Sequence, residues 1–439
     1  MVRLGFRFPP EQLLGRKKVY TIVAAIMIVG ALASAVAPGF IWLVIARFVL
    51  GLGIGGDYPV SAVLMSEYSN RKDRGRLVGM VFSMQALGLI VGPLVGLALL
   101  SSGISHASTW RIMLGLGAIP AAGVIYLRSK MPESPRFKSQ VQGKADQVSE
   151  EIATYSDGVV EVPLGVAQTT QRLGLGEFLR NRRMLVLLLG TAGSWFLFDY
   201  AYYGNTLSLP AILKEVDSTA SLETKLLWTL GIFVVFAVPG YLVAVMTMDR
   251  IGHRRLQFIG FGVMAAAFLT LAAFAHLTTM VVPFLAIFGL SYFFIEFGPN
   301  MTTFVLPSEV FPVSMRTTGH GIAAGIGKLG AFVGVFLVPQ LQKHVGLRGM
   351  LTIAGVAAIL GFALTIVLPE PAHRTLEDMG DEFESQKISA STTPPLQTVR
   401  GIDHVQKELP SMAQQLADAH GDVLGDKASA SREPLTDAV

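Results

Sequence analysis

An all-helical bundle that crosses a membrane about ten times is the fold class this sequence predicts, on three observations. The first is composition: 51% of the 439 residues are hydrophobic and only 15% are charged, whereas an average soluble domain carries about 25% charged residues. So few charges cannot cover a water-facing surface of this size. The second is that the apolar residues come in blocks, each near the roughly 20 residues that a helix rising about 1.5 Å per residue needs to cross the hydrocarbon core. The third is that Lys and Arg gather in alternate loops between the blocks, an asymmetry characteristic of membrane helices.

Taken in order, apolar runs bounded by charges or turn residues predict spans at 19–38, 41–66, 77–101, 109–128, 184–204, 226–248, 256–276, 280–306, 318–341 and 349–369. Gly51, Gly53, Gly55, Gly56, Pro59, Pro239, Gly298 and Pro299 lie inside them. Membrane helices tolerate such residues, because small side chains permit close packing and neighbours re-satisfy freed backbone groups. Arg16-Lys17-Lys18, Arg71 to Arg76, Arg128 to Arg183, Asp249-Arg250 with Arg254-Arg255, and Arg316 fall on one side. His106, the 205–225 loop and the turns at 276–280 and 342–348 fall on the other. The basic side is expected to be cytoplasmic, with both termini on it, in a cell-membrane protein. The chain divides into a four-span half (1–129), a polar linker with short helices at its ends (130–183), a six-span half (184–370) and a polar tail (371–439) that reads as disordered.

Several chemistries are excluded by what the chain contains. There is no cysteine, hence no disulfide, thiolate metal site or cysteine nucleophile. The eight histidines show neither HExxH nor HxH spacing, and His253, His320 and His344 read as loop or span-end residues rather than ligands. No nucleophile and base pair at suggestive spacing appears, so an enzyme is not expected, nor a cofactor. Met1 to Gly15 has no apolar core of a cleavable signal. The net charge of +4 is small; the expected partners are the bilayer, a small solute and protons, with no nucleic acid, and the protein is expected to be a monomer.

A parallel duplication is legible in the residues. Ser66-Glu67 is followed seven residues after the Glu by Arg74, and Ser308-Glu309 by Arg316 at the same interval; Gly56 precedes Glu67 as Gly298 precedes Glu309, an offset of 242 residues throughout. Gly15-Arg16-Lys17-Lys18 is echoed by Gly252-His253-Arg254-Arg255. In the second half two spans precede that basic turn, and in the first half none does, so the first half is expected to start two helices late.

Ionisable groups inside spans cost about 2.5–3.5 kcal/mol on insertion scales and therefore default to bundle-facing, functional positions. Here they are Arg47, Asp57, Asp199, Glu296 and Lys328, candidates for proton coupling or for buried ion pairs. Arg47 and Asp57 are about 15 Å apart along one helix and cannot pair; Lys328 is the expected partner of Asp57. Trp195, Asp199 and Tyr203 share one helix face at i, i+4 and i+8, which makes a polar stripe facing a cavity.

Gly15-Arg16-Lys17-Lys18, the basic loop after Ser66-Glu67, Pro132-Glu133-Ser134-Pro135-Arg136 and Pro307-Ser308-Glu309-Val310-Phe311-Pro312 before Arg316 together resemble the major facilitator superfamily, over Leu14 to about Glu370. Within it, Gly55-Gly56-Asp57-Tyr58-Pro59, Trp195-Phe196-Leu197-Phe198-Asp199, Phe297-Gly298-Pro299-Asn300 and Gly319-His320-Gly321 with Gly327-Lys328 resemble the phosphate:proton symporters. That resemblance implies alternating access, proton-coupled symport of inorganic phosphate, and a substrate site lined by Tyr58, Gln85, Trp195, Asp199, Tyr203 and Asn300. Hydroxyl, amide and indole groups would donate to phosphate oxygens and a carboxylate would accept from P–O–H. It also implies a cytoplasmic gate in which Glu67 pairs with Arg316 or Arg74, and Glu309 with Arg71 or Arg74. The chain departs from the resembling family at Glu296, where an amide is usual. A symporter of the same fold for a sugar or organic acid, and a non-transporting protein, stay open at this stage.

Overall fold

The computed structural model describes residues 16–69, 73–129, 175–312 and 315–374. The expected linker beyond its last helix, the tail beyond residue 374, Arg71 and the Glu67 side chain lie outside these. In chain order the first half comprises α1 (Arg16–Ala35), α2 (Phe40–Tyr68), α3 (Arg74–Ser83), α4 (Gln85–Ser101), α5 (His106–Leu116) and α6 (Ala118–Ser129). The short helix α7 (Leu175–Arg180) lies in the expected linker, and after it come α8 (Arg182–Leu207), α9 (Leu209–Val216), α10 (Leu222–Ile232), α11 (Val238–Ile251), α12 (His253–Ala273), α13 (Val281–Ile295), α14 (Met301–Val305), α15 (Pro307–Val310) and α16 (Arg316–Thr365). Five-residue π-helical segments, Phe233–Ala237 and Glu296–Asn300, join α10 to α11 and α13 to α14.

Among the described residues eight helical stretches are long and apolar enough to cross a membrane, with a shorter apolar helix at Thr21–Ala35. The last stretch, α16, holds two passes. At Gly346 φ is 68° and ψ 178°, a region a glycine enters without steric cost. Before it, Gly327 packs on Trp195 and Gly334 on Tyr200; after it, Leu364 packs on Gly193 and Leu368 on Gly190. The contact order along α8 reverses, so the chain turns back there, within the stretch where sequence places a turn.

Local sequence explains most departures from the expected spans. The expected 205–225 loop contains α9, because Leu209, Ile212, Leu213 and Val216 fall at i, i+3, i+4 and i+7 and are all buried, with Pro210 in the first turn. The 77–101 span is two helices meeting at Met84, and the 109–128 span two helices meeting at Gly117.

The halves differ in how deeply their helices are packed. In the span Phe40–Val63 only 11% of the apolar window is buried, against 56% in Arg182–Leu207. Accordingly Phe40, Ile41, Ile45, Phe48 and Leu52 of α2 are exposed. Arg47, on the same helix, is exposed too, so the expectation that every charge within a span turns into the bundle fails for it; α2 is covered mainly along the face it presents to α1, where Gly53 lies on Met27 and Gly56 on Val23.

The second half closes around a seam of small residues between α8 and α16. A Cβ on Gly330 would run into the carbonyl oxygen of Phe196, one on Gly334 into that of Tyr200, and one on Gly327 would lie 2.7 Å from the Trp195 ring. Where hydrocarbon solvates apolar side chains as well as protein does, such close backbone approach is what holds helices together. The seam sets Lys328, one residue past Gly327, beside the polar stripe of α8.

Candidate functional site

Trp195, Asp199 and Tyr203 stand on successive turns of α8, and α16 brings Lys328 against them. The Lys328 ammonium donates to Asp199 Oδ2 at 3.2 Å and to the Tyr203 hydroxyl at 3.1 Å. It also lies 4.5 Å from the centre of the Tyr203 ring and 4.9 Å from that of Tyr58, across the half-bundle boundary, within reach of cation–π attraction. The expected partner of Lys328 was Asp57; the structure gives it Asp199 instead. The reason is register: the seam holds α16 directly on α8, whereas Asp57 is on α2. Asp199 is buried while the Lys328 side chain is 35% exposed, its ammonium lying between Asp199 and the Tyr58 and Tyr203 rings.

An aromatic wall completes this region. The Tyr58 ring packs at 6.3 Å from Trp195, 5.7 Å from Phe304 and 6.3 Å from Phe82, taking residues from both halves. His320, expected near a span end, is fully buried in α16: its Nε2 lies 3.0 Å from the Phe304 carbonyl oxygen, and its ring packs edge-on to Trp195. Gln85, at the start of α4, is half-buried, and its Oε1 meets no hydrogen-bond donor among the described residues. Asp57, next to Tyr58, is likewise half-buried.

Asn300 and Glu296 belong to a neighbouring polar group. The Asn300 amide donates to the Tyr241 hydroxyl at 2.7 Å and to Glu296 Oε2, and the Tyr202 and Tyr241 hydroxyls face the Glu296 carboxyl. Tyr202 joins the two groups, its ring 5.1 Å from that of Tyr203. Nothing in the sequence marks Tyr202 or Tyr241: each is one aromatic among many in apolar runs.

On the basic side the halves are tied by a buried charge cluster. Arg74 Nε donates to Glu309 Oε1 at 3.0 Å, one of the pairings expected of the gate, and the Arg74 guanidinium also reaches the carbonyl oxygens of Pro371 and Arg374. Asp249 accepts from the backbone N–H groups of Gly75 and Arg76 at 3.0 and 2.8 Å, capping α3 from the other half. His253 lies between the carboxylates, Nδ1 3.0 Å from Glu309 Oε2 and Nε2 3.4 Å from Asp249 Oδ1. Reading His253 as a span-end residue missed this: it opens α12 but is buried against α3, where a Cβ on Gly75 would collide with its ring. Glu370 accepts from the N–H groups of His253 and Arg254 at 2.9 and 3.0 Å, a carboxylate at a helix N-terminus. Arg316 is buried, its Nε donating to the Phe311 carbonyl oxygen at 3.1 Å.

The family model described as sugar (and other) transporter matches residues 11–383. The chain is 37% identical over 439 aligned residues to inorganic phosphate transporter 1-6 of Oryza sativa subsp. japonica, covering 88% of this chain and 81% of that one. To the repressible high-affinity phosphate permease of Neurospora crassa it is 33% identical, covering 84% of this chain and 75% of that one. Among solved structures, the proton:xylose symporter XylE bound to 6-bromo-6-deoxy-D-glucose superposes with a TM-score of 0.70 at 21% identity, covering 85% of this chain and 84% of that chain.

Proposed function

The chain belongs to the family of sugar (and other) transporters, and on that premise we propose that it is a proton-coupled symporter of inorganic phosphate. The single observation that carries the substrate is the Lys328–Asp199–Tyr203 constellation: one cation, one buried carboxylate and a hydroxyl, beside Tyr58 of α2. Relatives named as phosphate transporters support the same substrate.

The chemistry follows from the donors and acceptors. Dihydrogen phosphate offers anionic oxygens and P–O–H groups. Lys328, the Tyr58 and Tyr203 hydroxyls and the Trp195 indole N–H supply donors for the oxygens, while Asp199 accepts from a P–O–H. Gln85 at the start of α4 is assigned to the same site, and Asn300 to its margin, where the neighbouring polar group adjoins it through Tyr202. While Asp199 is ionised it holds Lys328. A proton arriving on Asp199 frees the ammonium for the anion, so that proton and phosphate load together. Asp57, Arg47 and Glu296 are the remaining ionisable residues of the spans.

Alternating access then requires the cluster at Arg74, Glu309, His253 and Asp249 to part when the basic side opens. Glu67, Arg71 and Arg316 are assigned to the same gate. By the distribution of Lys and Arg, this side is cytoplasmic and both termini lie on it, in the cell membrane, with the protein acting as a monomer.

Uptake into vesicles of labelled phosphate, compared with labelled sugars and carboxylates, with and without an inward proton gradient, tests the proposal. Gradient-stimulated accumulation of phosphate alone is expected. Accumulation of a sugar or carboxylate in its place would reassign the substrate, and no uptake of any solute by correctly inserted protein would remove the transport reading.

A further inference from the structure

The second half contains a carboxyl that the Lys328–Asp199 arrangement does not use. Glu296 is fully buried. Its Oε2 accepts from the Asn300 amide, and Oε1 has no partner within hydrogen-bonding geometry among the described residues. The groups facing it from the packed elements are the Tyr202 hydroxyl of α8, the Tyr241 hydroxyl of α11 and Asn300 on its own segment, with Tyr292 of α13 one turn away. All of these are uncharged, and Glu296 makes no salt bridge to a described residue, in contrast to Asp199 and Glu309, which both have cations.

A bare carboxylate in such a place is expensive: removing one from water costs several kcal/mol even after relaxation, unless a cation or a full set of donors compensates. Here the compensation is one amide and neighbouring phenols, with one oxygen left over. A neutral carboxylic acid fits better, because its O–H can donate while its carbonyl oxygen accepts from Asn300. The backbone is adapted to this position. Glu296 opens the π-helical segment Glu296–Asn300, in which Pro299 cannot donate to the ladder, and Gly298 and Pro299 press against Gly260 of α12. Segments of this kind are concentrated at functional sites. The route to the other carboxyl is continuous in rings: Glu296 faces Tyr202, Tyr202 packs on Tyr203, and the Tyr203 hydroxyl accepts from Lys328.

We propose that Glu296 is a second proton-carrying carboxyl of the transport cycle, separate from Asp199, which holds its proton toward the Tyr202 and Tyr241 hydroxyls, its other oxygen accepting from Asn300, while the bundle is closed around it. The proton is taken from water on one side of the membrane and returned to water on the other when opening hydrates the segment. No bond other than O–H is made or broken. The transport arm of the test rests on the phosphate symport reading; the spectroscopic arm does not.

Glu296→Gln keeps the shape and hydrogen-bonding capacity of the neutral acid and cannot release a proton. In proteoliposomes at zero membrane potential, the phosphate ratio that a fixed pH gradient sustains should fall by one factor of the proton ratio, about tenfold for a one-unit gradient, while phosphate exchange without a gradient persists. Independently, the infrared spectrum of purified wild-type protein at neutral pH should contain a protonated-carboxyl C=O band that is lost in Glu296→Gln and shifted in Glu296→Asp. An unchanged sustained ratio in Glu296→Gln overturns the proposal. So does a wild-type spectrum with no protonated-carboxyl band, or with one that neither substitution alters, and this holds even if a variant folds poorly. Wild-type protein that accumulates no phosphate yet shows the Glu296-dependent band would refute the symport reading and leave the proton site standing.

Discussion

Arg74→Ala should unlock the basic side of the protein, and its size can be worked from the contacts. The side chains of Arg74 and Glu309 are 5% and 0% exposed, so this is a buried pair, and removing one partner of such a pair costs about 3–5 kcal/mol. His253 stays on the other oxygen of Glu309, which argues for the lower end. The same substitution also deletes the donors to the carbonyl oxygens of Pro371 and Arg374. In a conformation with the halves apart the same carboxylate is hydrated and loses little. About 3 kcal/mol therefore falls selectively on the closed form and raises the open population by roughly a hundredfold. The absence of cysteine makes the assay simple. Met248 is buried and faces Gly79 across the boundary between α11 and α3, so Met248→Cys introduces a single thiol that is reachable only when these helices part. The rate of its modification by a membrane-impermeant maleimide, supplied to the basic side, should rise by one to two orders of magnitude in the Arg74→Ala background. An unchanged rate would refute the view that this pair holds the halves together.

Three further outcomes follow from the same contacts. His253→Phe should also speed labelling of Met248→Cys, and combining it with Arg74→Ala should give more than the sum of the two effects, because each cation compensates Glu309 when the other is lost; strict additivity would show that the cluster is not one unit. Lys328→Met leaves Asp199 buried without its cation, and with the lysine side chain one-third exposed the cost should be about 2–3 kcal/mol, read as a lowered melting temperature that Asp199→Asn partly restores, with phosphate binding lost in both. Gly330→Val drives a side chain into the Phe196 carbonyl and should destabilise by about 1–3 kcal/mol through overpacking; melting unchanged from wild type would mean that α8 and α16 are not held by this seam.

How much of this was legible in the sequence depended on the range of the interaction. Span positions were readable because a membrane helix is a local, compositional object, and the α16 reversal fell where a turn was expected, at Gly346 within 342–348. The stripe Trp195, Asp199, Tyr203 was readable for the same reason, being one helix face. Pairing across helices was not: Lys328 went to Asp199 rather than Asp57 because a seam of glycines fixed two backbones in contact, and which glycines meet which carbonyls has no one-dimensional signature. The Arg74–Glu309 pair was one of the two partners that the resemblance implied for Glu309; the choice between Arg71 and Arg74 had no signal in the sequence. His253 was missed because a basic residue at the start of a span looks like a topology signal whether it faces water or, as here, two carboxylates. Arg47 shows the opposite error, since insertion cost predicts that a charge avoids lipid but does not say which neighbouring helix covers it.

The claim on which the rest depends is that phosphate and protons move together through this protein. Purified protein in liposomes that carry no imposed gradient, given phosphate outside in a weakly buffered medium, tests it directly with a pH electrode. The account predicts an alkaline drift of the medium on adding phosphate, abolished in Asp199→Asn and absent when xylose or a dicarboxylate is added instead. Entry of labelled phosphate with no accompanying drift, or a drift that persists in Asp199→Asn, would contradict it.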